Sequence, residues 1–264
     1  MSKKIQIVAR LLGLIAIAAA GILIAGRQSP ATALSIEPVG VMDRIDPSGV
    51  RYWAATGPGG RDVSLGVRYD YESKEGVEAY ITWNRREADR LLQTDVARFW
   101  VVVNFNGPQP RVAFEQFVKD YNMEVVEYTM RAVEAPTELM PEGNRVTAMG
   151  APENGILIPD DLFNMMYSSV AGDHAATFRG WITVRGAVDR EGFIRLRSDS
   201  RVAVVEVIET IGREALKDNR ARLVGAQSQL LEALDTDRPY SGFQLDGTGT
   251  LYWKLEDFGL VPKD

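Results

Sequence analysis

The chain has no cysteine and a single histidine. The first absence excludes disulfides, a lipid-modified cysteine anchor, a thiolate zinc site and a cysteine nucleophile. The second leaves any Ser-His-Asp mechanism with His174 alone, and its neighbour Asp173 is too close in sequence to orient it. No Gly-x-Ser-x-Gly elbow is present. One imidazole without a thiol also argues against a transition-metal site. His174 therefore reads as an ordinary loop residue. No catalytic, cofactor-binding or metal-ligating set is assigned.

Basic residues are the next shortage. The chain holds 30 Lys and Arg against 36 Asp and Glu, a net charge of −6. Residues 1–33 carry Lys3, Lys4, Arg10 and Arg27 and no acid, so the remainder is more acidic still. An acidic body argues against nucleic acid as a partner.

Long apolar runs are absent but for one, Leu11–Gly26, flanked by Lys3, Lys4 and Arg10 before it and Arg27 after it. A positive flank and an apolar core make residues 1–33 an export signal or a transmembrane anchor. Sixteen residues at helical rise cover about 24 Å, short of the roughly 20 residues that span a bilayer unless Ile5–Val8 contribute. Ala31-Thr32-Ala33 offers a small-x-small cleavage site. Arg27 directly after the run favours the retained anchor, with secretion after cleavage as the alternative. Either way the body is expected outside the cytoplasm.

What is present centres on Phe99–Val133. Trp100–Val103 is a continuous apolar run expected of a central strand, and Asn106-Gly107-Pro108 ends it. Phe114, Phe117, Val118 and Tyr121 then form one helical stripe, which Asn122 stops. Val126, Tyr128 and Met130 alternate with Glu127, Thr129 and Arg131 as in an edge strand with one buried face. A looser copy follows at Phe178–Gly212, with a strand around Arg179–Arg185, a short helix Arg190–Arg197 and a strand Val202–Ile208; Trp181 aligns with Trp100. Two β-α-β halves predict an α+β fold, a ferredoxin-like antiparallel sheet over 98–212 with an insertion at 134–177. The Phe99–Val133 unit is similar in outline to the small α/β modules of subtilase propeptides and related inhibitors. That likeness covers about an eighth of the chain and carries no shared motif.

Around this core, residues 34–97 read as a linker and a hairpin-plus-helix extension. Leu34–Asp46 looks like a tether between prolines. Arg51–Trp53 and Val63–Tyr71 flank the turn Gly57-Pro58-Gly59-Gly60, whose anion-cradling reading with Arg61 fails because a strand follows, not a helix. Asn84 and Glu87 form a capping pair for a helix through Gln93. In the insertion, Pro159-Asp160-Asp161 opens a helix with Leu162, Met165, Met166 and Val170 inward. Residues 213–264 supply a C-terminal helix and tail: one long helix is expected over Thr210–Asp235, and an aromatic tail docks on the body through two short strands around Asp246–Gly249.

These features predict a non-enzymatic extracytoplasmic domain, membrane-attached through the N-terminal helix, that binds a protein or peptide partner at a strand edge. The alternative is a hydrolase using paired carboxylates on cell-wall glycan, with Asp160, Asp161, Asp70 and Glu72 as candidates by residue type. No cofactor is implied.

Overall fold

The computed structural model describes residues 39–57, 62–138, 143–161, 163–164, 168, 176–223, 228–240, 242–246 and 251–263. The apolar run Leu11–Gly26, the site Ala31–Ala33, the turn 58–61, His174 and the Leu162, Met165, Met166 and Val170 face lie outside them. The described part is a mixed α+β body with two sheets and six helices. Among the described residues no helix is long and apolar enough to cross a membrane.

The larger sheet contains β4 (Arg98–Gln109), β5 (Glu124–Glu134), β6 (Arg145–Gly150), β7 (Ala176–Asp189) and β8 (Val202–Glu206), in the order β6-β5-β7-β4-β8. Every neighbouring pair is antiparallel. The β4 run is buried on both faces because β4 is interior and both faces are covered. Helix α2 (Arg111–Asp120) lays Phe114 and Phe117 on one face, where they meet Phe105 edge-on. Helix α3 (Arg190–Leu196), capped by Asp189 on the Gly192 N–H, covers the same face through Phe193, stacked on Phe99 at 4.1 Å. Asn122 takes the left-handed conformation (φ 44°) that its position after α2 requires.

Two expectations about this sheet are corrected. β5 is not an edge, because the insertion supplies β6 outside it, and Arg131 on its other face is fully buried. Trp100 and Trp181 are not equivalent either. Trp181 stacks on Phe114 on the α2 side, whereas Trp100 alternates with Phe99 and faces the opposite side. Bulges in β7 between its pairings to β5 break the strict period that the sequence alignment assumed.

The second sheet is β1 (Val39–Ile45), β2 (Arg51–Thr56), β3 (Val63–Arg68) and β9 (Phe243–Asp246), in chain order with β9 parallel to β3. The supposed tether therefore contains a strand, anchored by buried Val41. Helix α1 (Lys74–Leu91) starts well before Asn84: the Ser73 hydroxyl accepts the Gly76 N–H at 3.1 Å, and Asn84 is a buried interior residue. The long C-terminal helix is broken into α4 (Ile208–Asp218), a 3-10 turn at Arg220–Arg222 and α5 (Ser228–Asp235). Their leucines, Leu216, Leu223, Leu230 and Leu234, still share one core with Val63 and Leu65. Gly212 lets α4 lie on β3, since a Cβ there would meet Leu65 at 2.4 Å. After β9 the tail forms helix α6 (Leu251–Asp257), not a second strand, and docks through Leu251, Tyr252 and Leu255.

Candidate functional site

The face of the large sheet turned away from α2 is only partly covered. β9 closes over it at one side and α6 at another, leaving a trough of about 360 Å³ lined by Glu127, Thr129, Thr147, Thr183, Arg185 and Trp253, among others. That volume lies within the range of small-ligand sites. Strand register sets the floor. Glu127 faces Arg185 and Thr129 faces Thr183 across β5 and β7, while Thr129 faces Met149 and Arg131 faces Thr147 across β5 and β6. None of the three threonine hydroxyls is hydrogen-bonded among the described residues.

Buried ion networks fix both walls. Arg185 donates from Nε to Glu209 at 2.8 Å and from Nη2 to the Phe243 carbonyl at 3.3 Å. The second Glu209 oxygen accepts from Arg213 Nε at 3.0 Å. The Arg213 guanidinium is sandwiched between the rings of Trp100 (3.9 Å) and Phe243 (4.3 Å). Desolvation lowers the Arg213 pKa, and Glu209 opposes that shift. At the other wall, Glu256 of α6 accepts from Arg131 Nη2 at 2.8 Å and Arg145 Nη1 at 2.7 Å, with Arg131 4.1 Å from the Trp253 ring centre. Each network leaves a buried charge stranded if one member is removed, so β9 and α6 are held firmly in place.

Glu127 is the exception. It is half-buried, yet it makes no hydrogen bond or ion pair among the described residues. Burial pushes its carboxyl above the usual range; Arg185 opposes that and Glu209 adds to it.

The outer rim of the trough is β6, which hydrogen-bonds to β5 on one side. Among the described residues no backbone group pairs with its other side. Met149 on this rim is 62% exposed. On the opposite edge of the sheet, the Asn84 amide of α1 takes the Val205 carbonyl of β8 and the Val207 N–H. Past the end of β6 an open recess of about 500 Å³ is bordered by Glu127, Met149, Pro152 and Glu153.

The acids singled out by residue type are elsewhere. Asp70 accepts the Ser73 hydroxyl at 2.5 Å and the Glu72 N–H at 3.1 Å, which hold its carboxyl below the usual range and order the start of α1. Asp160 accepts from Arg111 at 2.9 Å on the surface. Glu72 and Asp161 are exposed, and none of the four lines the trough or the recess. Among the described residues no group of three metal-ligating side chains converges.

A second buried polar group lies beneath the surface. Glu206 is fully buried, accepts from Tyr80 at 2.6 Å and Asn104 at 2.8 Å, and has its carboxyl pushed up to about 7 by burial. Being closed to solvent, it binds no ligand. Sequence reasoning missed Glu127 and its threonines because a polar face of a strand reads as a solvated face, and Arg131 two positions beyond Thr129 supplies the charge balance expected of one. Compared with protein-family models, curated proteins and solved structures, the chain matches none.

Proposed function

We propose that this chain is a non-enzymatic extracytoplasmic binding domain, attached through its N-terminal apolar segment, that captures an extended stretch of a protein or peptide as an extra strand on β6. The observation that carries the reading is the outer edge of β6, which no backbone group pairs among the described residues and which forms the rim of a polar trough. An open edge offers a row of donors and acceptors to any extended chain, and side-chain pockets beside it give selectivity. We read the scaffold as a ferredoxin-like core, β4-α2-β5 followed by β7-α3-β8. The strand order β8-β4-β7-β5 and the placement of α2 and α3 on one face support that assignment.

The test is a pull-down from an envelope extract with the full-length chain, beside a chain with one proline at an outward N–H of β6, Met149→Pro. A reproducible partner lost in the proline variant, with the circular dichroism of the body retained, supports edge capture. No reproducible partner, together with cleavage of glycan, sinks it.

The hydrolase reading retains one observation of its own. Glu127, with its raised proton affinity, and Glu153 border the same recess, a carboxyl pair by type. Release of reducing ends from cell-wall glycan, abolished by Glu127→Gln, would replace the binding proposal with that one.

A further inference from the structure

We propose that the trough receives a lysine or arginine side chain from the peptide laid along β6, holding its cation between Glu127 and the hydroxyls of Thr129 and Thr147. The inference rests on the edge-capture reading and names the chemistry which that reading leaves open.

Glu127 supplies the charge argument. A half-buried carboxylate without a protein donor is partly desolvated, and a bound cation offsets that cost. Its cross-strand neighbour Arg185 acts on it through space but gives its hydrogen bonds to Glu209 and the Phe243 carbonyl, so among the described residues no cation hydrogen-bonds Glu127. The same commitment makes Arg185 a poor receptor for an anion. Arg145 is also a cation on the trough face of β6, but Glu256 and Asp257 hold and neutralise it. Among the described residues, what remains open within reach of β6 is one carboxylate and the Thr129 and Thr147 hydroxyls. An ammonium with three donors or a guanidinium with five uses that set fully.

Reach supplies the second argument. A strand added beside β6 lies about 10 Å from β5, two strand spacings. The four-carbon stem of a lysine, meeting the Glu127 side chain part-way, covers that span, and a shorter amine does not. Exposed Met149 on the rim gives the stem an apolar surface to lie on. The chain's net charge of −6 favours the approach of a cationic segment from a distance.

The probes are four acetylated hexapeptides of alternating threonine and valine with one variable central residue, titrated by calorimetry onto the full-length chain in detergent micelles. The first carries lysine, the second norleucine, the third diaminobutyrate, and the fourth is the lysine peptide N-methylated at alternate amides. The lysine peptide is expected to bind about tenfold more tightly than the norleucine and diaminobutyrate forms, and Glu127→Gln is expected to erase that difference. Equal binding of lysine and norleucine overturns this inference and leaves edge capture standing. Undiminished binding of the N-methylated peptide, or binding of none, overturns edge capture and this inference with it.

Discussion

The side-chain amide of Asn84 meets β8 as a neighbouring strand would, donating to the Val205 carbonyl at 2.6 Å and accepting the Val207 N–H at 3.0 Å. A carbonyl and an N–H two residues apart on the outer side of a strand are what an incoming strand pairs with. One helix residue therefore occupies part of the β8 edge, and among the described residues no backbone group pairs with the outer side of β6. The contrast is what motivates the proposal that a partner strand adds at β6.

Asn84→Leu keeps the volume and removes both bonds. Two backbone groups would lose their partners in a place where Asn84 itself is 1% exposed. We expect a loss of about 2 kcal/mol in urea unfolding. An unchanged midpoint would mean that water replaces the amide and the edge is not closed by it.

Glu206 predicts a pH dependence of stability. Its carboxyl is raised from 4.5 to about 7 in the folded state. Between those values the unfolded chain has lost the proton and the native state still holds it, so stability falls as pH rises through that window and then levels off. The shift corresponds to a loss on the order of 3 kcal/mol. Glu206→Gln should flatten that part of the curve. Its amide still accepts from Tyr80, and Asn104, whose Oδ1 has no partner, can turn to receive its N–H. Urea midpoints at pH 5, 6, 7 and 8 for both proteins decide it, and parallel curves would remove Glu206 as the cause.

The Arg185–Glu209–Arg213 network predicts non-additivity. Arg213→Met strips a guanidinium from between Trp100 and Phe243 and leaves Glu209, which is 1% exposed, with Arg185 alone. A destabilisation of about 3 kcal/mol is expected. In a Glu209→Gln background the same change should cost less than half as much, because Arg213 then has no carboxylate to leave behind. Equal costs in the two backgrounds would show that stacking, not ion pairing, holds Arg213.

The central strands were legible because Trp100–Val103 and the Phe114/Phe117 stripe each follow one period, and long-range packing reinforces what local spacing states. Asn84 misled because Asn-x-x-Glu is a local cap pattern, while the burial that makes it a helix-interior residue comes from β8, far along the chain. The real cap, Ser73, was hidden behind the acidic run at Asp70 and Glu72. Arg145–Gly150 has no clean alternation and takes its strand identity from β5. The trough was illegible for a related reason. Its floor is the polar face of β5, β6 and β7, and its walls, Phe243 and Trp253, come from a tail whose first strand is as expected and whose second folds as a helix.

The last prediction concerns Leu11–Gly26, which lies outside the described residues. Lysines before an apolar core and Arg27 directly after it give the pattern of a retained anchor with the N-terminus in the cytoplasm. A signal peptidase substrate ordinarily continues from its apolar core into small neutral residues, and here the Ala31–Ala33 site is reached only after a charge. N-terminal sequencing of the protein from its native host is therefore expected to return Met1 or Ser2 in the membrane fraction. Leu34 in the soluble exported fraction would establish cleavage instead and leave the body's role untouched. A full-length soluble protein in the cytoplasm would defeat both, and it would also place β6 in a compartment where its extracytoplasmic partners are absent.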